Sequence, residues 1–284
     1  MKIVEILRQT ENILRERGIP TPRLDAEVLL AFSLGTERHH LYRKQQEILS
    51  ASEITRFQAM VERRRAGEPV AYITGRKEFW SLEFEVDGNV LIPRPDTEVL
   101  VEETLRIAEV LGRPDPAILE IGTGSGIISI ALATELAGTR LAAVDASADA
   151  LAVARRNAER HGVASRIRFL HGNIFAPLSE KFDIVVSNPP YISEEEYACL
   201  SEGIRRFEPP EALISGPEGT EFHQRIVAGG AAFLRPGGWI VMEIGATQKD
   251  ALEKLLKQEG EYDSIGFRPD YAGIPRVVSA RRKE

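Results

Sequence analysis

The sequence predicts an α/β protein in which a mostly parallel, seven-stranded sheet with helices on both faces follows a small all-helical domain. Three observations carry that expectation. From Ala117 onward, short apolar runs alternate with helical segments, the pattern of a sheet built from crossover units. Before residue 76 the hydrophobic period is helical, and over residues 76–92 it changes. A glycine-rich turn, Gly122 to Gly126, joins the first apolar run to a helix, the place where a doubly wound sheet meets its ligand.

Ile3, Ile6, Leu7, Ile13 and Leu14 share one helical face, and Gly18-Ile19-Pro20 ends that helix. A second helix is expected from about Leu24 to Leu34, stopping before Gly35. A third opens at Ser50 with Glu53 three residues on, a capping box, and buries Ile54, Phe57 and Val61. Its basic end, Arg63-Arg64-Arg65, suits the negative pole of the helix dipole. That run reads either as a solvated terminus or as a partner-binding patch.

Residues 76–92 read as a β-hairpin. Phe79, Trp80, Leu82, Phe84 and Val86 precede an Asp87-Gly88 turn, and Val90 and Ile92 follow it. The hairpin is the expected connector between a helical domain at 1–75 and an α/β domain at 93–284. Pro93-Arg94-Pro95 cannot continue a ladder, and Asp96 and Thr97 offer capping oxygens to a helix running to about Leu111. Strands are then expected at 117–121, 140–145, 166–170, 182–187, 238–244, 262–267 and 275–280. Helices fall near 125–137, 147–160, 220–234 and 248–259. The last two strands have only a short link between them and therefore pair antiparallel.

Composition narrows the function. Of 284 residues, 43% are hydrophobic and 28% charged, which excludes a disordered or fibrous chain. The formal charge is −7: residues 1–75 carry 12 basic and 10 acidic side chains, the remainder 24 and 33. A sequence-independent nucleic-acid binder would carry the opposite sign. The lone Cys199 permits no internal disulfide, the N-terminus breaks its apolar run with Glu5 and Arg8, and no stretch approaches a membrane span. The expectation is a cytoplasmic protein with no membrane partner and no metal.

The chemistry concentrates in two loops. Glu120-Ile121-Gly122-Thr123-Gly124-Ser125-Gly126 sits where a strand turns into a helix, and its glycines allow close backbone approach to a ligand. A dinucleotide fingerprint wants Gly or Ala at the sixth position, where this chain has Ile127. The turn looks instead like the S-adenosylmethionine turn of class I methyltransferases. Asp145, ending the next strand, is placed to accept from both ribose hydroxyls, or else to cap the helix beginning near Ser147. His171-Gly172-Asn173-Ile174-Phe175 falls where such enzymes hold the adenine. Asn173 stands where the usual Asp accepts from the exocyclic amine, which Asn can do through its carbonyl oxygen, and Ile174 supplies an apolar face.

The second loop, Ser187-Asn188-Pro189-Pro190-Tyr191, follows an apolar strand directly. Two successive prolines remove two backbone donors and stiffen the loop. A planar amide or aromatic amine is a poor nucleophile, because its nitrogen lone pair is delocalised. The Asn188 side-chain oxygen and the Pro189 carbonyl can hold its NH2 protons and aim the nitrogen, while Tyr191 packs on the planar group.

Asn188-Pro189-Pro190-Tyr191 is shared by several amino-methyltransferases, and the wider pattern selects among them. The chain resembles the PrmC/HemK family of release factor glutamine methyltransferases over nearly its whole length. The matching segments are Leu24-Asp25-Ala26-Glu27, Gly67-Glu68-Pro69-Val70-Ala71-Tyr72-Ile73-Thr74-Gly75 and Ile92-Pro93-Arg94-Pro95-Asp96-Thr97-Glu98. Arg206-Phe207-Glu208-Pro209 and Asp270-Tyr271-Ala272-Gly273-Ile274-Pro275-Arg276-Val277 complete them. The resemblance implies a Rossmann-like class I fold and methyl transfer from S-adenosylmethionine, giving S-adenosylhomocysteine, to the glutamine amide nitrogen of a Gly-Gly-Gln motif. The substrates it implies are class 1 peptide chain release factors, which act in translation termination. It also implies that the helical domain helps dock the release factor. Carried over residue by residue, Gly122, Thr123, Gly124, Ser125, Gly126, Asp145, Asn173, Ile174 and Asn188 contact the cofactor. Asn188, Pro189, Pro190 and Tyr191 form the substrate clamp, with Asn188, Pro189 and Tyr191 the catalytic set. Arg94 and Glu98 are pocket walls, or else an interdomain ion pair or a helix start explains them. The alternative is an adenine-N6 methyltransferase acting on nucleic acid, which uses the same clamp geometry and whose binding would fall steeply with salt. The acidic charge of the α/β half and the absence of a basic, aromatic-interleaved stretch stand against it.

Overall fold

The computed structural model describes residues 1–284 and divides into two compact units. One comprises Met1–Arg76 together with Ser201–Phe207; the other comprises Lys77–Leu200 and Glu208–Glu284. No helix is long and apolar enough to cross a membrane.

The first unit holds helices α1 (Ile3–Glu16), α2 (Pro22–Ser33), α3 (Arg38–Arg43), α4 (Ala51–Arg65) and α5 (Val70–Thr74). Ile3, Ile6, Leu7, Leu14, Leu29, Leu30, Phe57 and Val61 form its core. The expected capping box opens α4: Glu53 N–H donates to Ser50 Oγ at 3.3 Å, and Ser50 N–H to Glu53 Oε2 at 2.8 Å. The basic end of α4 is paired within the chain. Arg63 bonds Glu68, Arg64 bonds the buried Asp25 at 2.7 Å, and Arg65 bonds Glu62. Asp25 and Glu68 thus fasten the turn after α4, which accounts for two acids of the family-like segments. The return segment includes α10 (Glu202–Phe207), where Arg206 Nη1 donates to the Ala66 carbonyl at 3.3 Å.

The second unit opens within β1 (Arg76–Phe79), and β2 (Leu82–Glu85) follows. The hairpin is real but shorter than the sequence suggests, and it turns at Trp80-Ser81 instead of Asp87-Gly88. Both turn residues have positive φ (53° and 56°), the twist that a two-residue hairpin requires. Glu98 Oε1 accepts from the Trp80 N–H at 3.0 Å, and Glu135 Oε1 from the indole at 2.8 Å. Phe79 and Phe84 are buried in the core of this unit, so the hairpin packs as part of it.

Helix α6 (Glu98–Leu111) precedes β3 (Ala117–Ile121), α7 (Ile127–Glu135), β4 (Arg140–Asp145), α8 (Ala148–Arg160), β5 (Ile167–His171) and β6 (Phe182–Ser187). A short parallel pair, β7 (Ile192–Ser193) and β8 (Ile214–Gly216), brackets α9 (Glu194–Cys199), and α11 (Glu221–Phe233) follows. Then come β9 (Leu234–Glu243), α12 (Lys249–Glu259), β10 (Tyr262–Pro269) and β11 (Pro275–Arg282).

The seven long strands form one sheet in the order β10-β11-β9-β6-β3-β4-β5. All neighbours from β9 to β5 pair parallel, and β11 pairs antiparallel with both β9 and β10. Alternate residues feed two cores. Ile118, Ile184, Val186 and Val241 pack with α6 and α7. Leu119, Val185, Ile240 and Met242 pack with α11 and α12. With both faces covered, the central strands carry nearly continuous apolar runs, and all six residues of β6 are buried.

Candidate active site

Two strand ends set the position of the site. Ile121 and Ser187 are register partners in the parallel β3–β6 pair, and Ser187 Oγ donates to the Ile121 carbonyl at 2.7 Å. Gly122 and Asn188 therefore leave the sheet side by side, and a Cβ on Gly122 would stand 4.0 Å from the Asn188 carbonyl oxygen. The chain winds from β3 toward β4 and β5 on one side, and from β6 toward β9 on the other. The gap between the ends of β3 and β6 is thus the switch point of the sheet.

The glycine turn is held from below. Gly122 and Thr123 both donate N–H to the Val144 carbonyl, at 2.8 and 3.1 Å, and Gly126 donates to Thr123 at 2.8 Å. Gly122, Gly124 and Gly126 all have positive φ, and a Cβ on Gly126 would press on Ile130 and Ala154 at 3.0 to 3.3 Å. Ile127 is buried in the core. Beneath the turn lies Glu120, fully buried. Its Oε2 accepts from the Thr123 hydroxyl at 2.7 Å, the Ser129 N–H at 3.1 Å and the Ser129 hydroxyl, while Oε1 has no partner. Burial pushes this carboxyl up to about 7. Asn157 of α8 adds a brace: its Nδ2 reaches the Ser125 carbonyl at 2.9 Å and the Glu85 carbonyl at 3.0 Å, and its Oδ1 accepts from Glu85 N–H at 2.7 Å.

Asp145 ends β4 as expected. Its Oδ2 accepts from Gly124 N–H at 2.8 Å and its Oδ1 from Ser147 N–H at 2.9 Å, and burial raises its pKa above the ordinary value. The side-chain cap of α8 is Ser147, whose hydroxyl accepts from Ala150 N–H at 3.1 Å. Asp145 is therefore free of the capping role. Each of its oxygens keeps a lone pair for a ligand hydroxyl. Ile174 is buried with a positive φ of 54°. Asn173 is exposed, and its Oδ1 accepts from Arg225 Nη2 at 2.8 Å. A guanidinium has no acceptor, so the Asn173 oxygen must face Arg225, which leaves its NH2 for a neighbour.

Asn188 donates through Nδ2 to Thr97 Oγ1 at 3.1 Å, and no donor of the chain takes its Oδ1 or the Pro189 carbonyl. Pro189 is buried; Asn188, Pro190 and Tyr191 are half-buried. Tyr191 donates its hydroxyl to Glu243 Oε1 at 3.2 Å, and its carbonyl accepts from Gln248 Nε2 at 2.8 Å. Gln248 also donates to the Gly219 carbonyl at 3.0 Å, which fixes the loop after the prolines.

Several of these residues escape the sequence reading. Thr97, expected as a helix cap, makes no capping bond; it is fully buried and faces Asn188. Asp96, the other candidate cap, pairs with Arg276 at 3.2 Å, and Arg276 in turn pairs with Asp270 at 3.0 Å. Glu243 closes the apolar strand β9, and an acid ending such a run is the sequence signal that could have marked it. Burial pushes its carboxyl up to about 7, against the Thr97 and Tyr191 hydroxyls and Arg276, which favour its charge. Arg94 and Glu98 are each engaged within the fold. Arg94 pairs with the buried Glu208 at 2.6 Å, and Glu98 holds the hairpin turn. No group of three or more His, Cys, Asp or Glu side chains is arranged to hold a metal ion.

Comparison with known proteins agrees with this geometry. Residues 5–75 match the family model for the PrmC N-terminal domain, and residues 97–205 match that for the methyltransferase small domain. A release factor glutamine methyltransferase of Rhodopirellula baltica is 39% identical over 99% of this chain and 96% of its own length. One of Chlorobaculum tepidum is 41% identical over 98% and 96%. Among solved structures, a methyltransferase from Pyrococcus furiosus aligns with a TM-score of 0.53 at 19% identity, covering 80% of this chain and 98% of the other; it shares the fold. Glycine turn, strand-end acid and Asn-Pro-Pro-Tyr loop thus meet at one switch point in a chain matched end to end by these relatives, and the chain belongs to the release factor glutamine methyltransferase family.

Proposed function

We propose that the protein transfers a methyl group from S-adenosylmethionine to the side-chain amide nitrogen (N5) of the glutamine in a Gly-Gly-Gln motif of class 1 peptide chain release factors. The observation that carries this reading is the pair of free acceptors, Asn188 Oδ1 and the Pro189 carbonyl, beside the glycine turn at the β3–β6 switch point. Bound S-adenosylmethionine supplies the electrophilic methyl. The turn Gly122-Thr123-Gly124-Ser125-Gly126 borders it, Asp145 accepts from its ribose hydroxyls, Ile174 packs on the adenine, and Asn173 offers its free NH2 to a ring nitrogen.

The chain's own contribution is positioning. Asn188 and Pro189 accept the two amide protons of the glutamine. That holds the NH2 in place, polarises it and excludes water from it. Pro190 keeps the loop stiff, and Tyr191, anchored through its hydroxyl and its carbonyl, fixes the plane of the amide. No general base is required, because the methylated, transiently cationic amide nitrogen is strongly acidic and loses its proton readily. The helical unit serves docking of the release factor, and the protein acts in the cytoplasm without binding nucleic acid directly.

The test is mass spectrometry of a release factor and of an adenine-rich duplex, each incubated with the protein and S-adenosylmethionine. One added methyl on the Gly-Gly-Gln glutamine, with DNA unmodified, is the expected result. Methyl on adenine alone would keep the clamp and replace the substrate.

A further inference from the structure

Tyr191 ends the clamp loop, and the two prolines before it have no N–H with which to tie that loop down. Its anchors come from the segment that leaves β9. The tyrosine hydroxyl meets Glu243 Oε1 at 3.2 Å, and its carbonyl accepts from Gln248 Nε2 at 2.8 Å. Gln248 is buried, and its whole amide is engaged. Nε2 donates also to the Gly219 carbonyl at 3.0 Å, and Oε1 accepts from the Gly245 N–H at 2.9 Å. A backbone carbonyl only accepts and a backbone N–H only donates, so three separate partners agree on one orientation of this amide. The residue stands at the start of α12, yet its side chain makes no capping bond to that helix. It joins the loops that follow β6, β8 and β9 at one point. Gly219 fits this contact: its φ is 76°, and a Cβ there would stand 2.8 Å from the Tyr191 carbonyl oxygen and 3.1 Å from Gln248 Nε2.

We propose that Gln248 is a positioning residue for methyl transfer, which fixes the Tyr191 backbone and so sets the tilt of the ring that packs on the substrate amide. With the hydroxyl anchored on Glu243, a displaced carbonyl swings the ring about its far end and away from the plane of the glutamine amide. This inference rests on the clamp role given to Asn188 and Tyr191 above.

The experiment uses the full-length protein, S-adenosylmethionine and an intact release factor, with steady-state kinetics and calorimetric cofactor binding. Gln248→Met keeps the length of the side chain and removes both donors. It is expected to lower kcat by about 10- to 100-fold, the scale of a slightly misplaced reacting group. Cofactor Kd should stay within about twofold, because Gln248 bonds neither the glycine turn nor Asp145. Gln248→Glu keeps the shape and the Gly245 bond but turns an acceptor toward two carbonyls, so it should be at least as slow. Adding Gln248→Met to Tyr191→Ala should slow turnover by less than about threefold more, since both changes act through one ring. If Gln248→Met does not fold, Gly219→Ala gives the same test: it presses a methyl group onto the Tyr191 carbonyl, so a similar loss of kcat at unchanged cofactor Kd is expected. Parent-like kcat in Gln248→Met, or in Gly219→Ala, beside a slow Asn188→Ala would overturn the inference and leave the clamp standing. Parent-like kcat in Gln248→Glu would overturn it in favour of packing. A Gln248→Met variant that loses cofactor affinity as steeply as kcat would overturn it in favour of a general loosening of the fold, and losses that multiply in the double variant would show that Gln248 does not act through Tyr191. Parent-like turnover in both Asn188→Ala and Tyr191→Ala would instead remove the clamp reading itself.

Discussion

Asp145 shows how much a single side chain is asked to do. It is pushed toward its neutral form by burial and held charged by backbone donors, chiefly Ser147 and Gly124. Those two bonds aim the carboxylate and tie the end of β4 to the glycine turn. Because the acid is fixed before any ligand arrives, a ribose binding there meets acceptors already in place. Asp145→Ala is therefore expected to weaken S-adenosylmethionine binding by about 100-fold, the scale of two hydrogen bonds to a charged group. Turnover at saturating cofactor should change by less than about threefold, since no reacting atom is touched. Calorimetry and kcat measured on the same preparation separate the two, and a loss confined to kcat would contradict the ribose role. Arg94 shows the opposite case. The Pro-Arg-Pro segment looks like site chemistry in the sequence, but its arginine is engaged by Glu208, which also accepts from Ile92 N–H at 3.2 Å.

Among the elements, α8 ties the hairpin to the glycine turn. Its Asn157, fully buried, reproduces a strand's hydrogen bonds against Glu85 of β2 and at the same time accounts for the Ser125 carbonyl of the glycine turn. Asn157→Ala leaves those three backbone groups without partners, so a loss of about 2–4 kcal/mol is expected in urea unfolding. Asn157→Asp, which keeps the acceptor alone, should recover part of it. An alanine variant within experimental error of the parent would show that water replaces the side chain. How much of this was legible in the sequence depended on length and period. The seven sheet strands and the long helices could be read because each repeats its pattern over several residues. Helix α3 could not, since its six residues bury only Leu41. The β7–β8 pair could not either, because two- and three-residue strands have no period. The hairpin turn was misplaced for a physical reason. Asp87-Gly88 carries the local turn preference, whereas Trp80-Ser81 takes positive φ because Glu98 and Glu135 hold the tryptophan from outside the hairpin. In the site, the glycine turn, Asp145 and the Asn-Pro-Pro-Tyr loop are contiguous motifs and were visible. Thr97 was expected only as a cap and Glu243 was not singled out, because their places beside Asn188 and Tyr191 come from which parts of the fold lie together.

Across the whole molecule, the buried acids that support the site give stability an unusual dependence on pH. Burial raises Glu120 and Glu243 from 4.5 to about 7. Glu120 is faced by Ser129, Thr123 and Asp145, and Glu243 by Thr97, Tyr191, Arg276 and Asp96. Between the unfolded and folded values the native state binds more protons than the unfolded chain, so this contribution is full below about pH 4.5 and is lost as pH rises through about 7. His223 acts in the other direction. Its ring bonds the Glu243 carbonyl at 2.8 Å, and burial lowers its pKa from 6.5 to about 4. The native state holds this histidine neutral, so its contribution is present above about pH 6.5 and is lost as pH falls through about 4. Carboxylates held low by partners, such as Glu103 and Asp270, are ionised in both states above about pH 5 and drop out. Two carboxyls outweigh one imidazole, so the free energy of unfolding should fall between about pH 5 and 7.5. Urea midpoints of the parent across that range, together with Glu120→Gln and Glu243→Gln, measure this directly. Each substitution should flatten the decline, and the double variant should reverse it to the shallow rise that His223 alone produces. A parent whose stability climbs steadily from acid to neutral pH would mean that these carboxyls ionise without penalty.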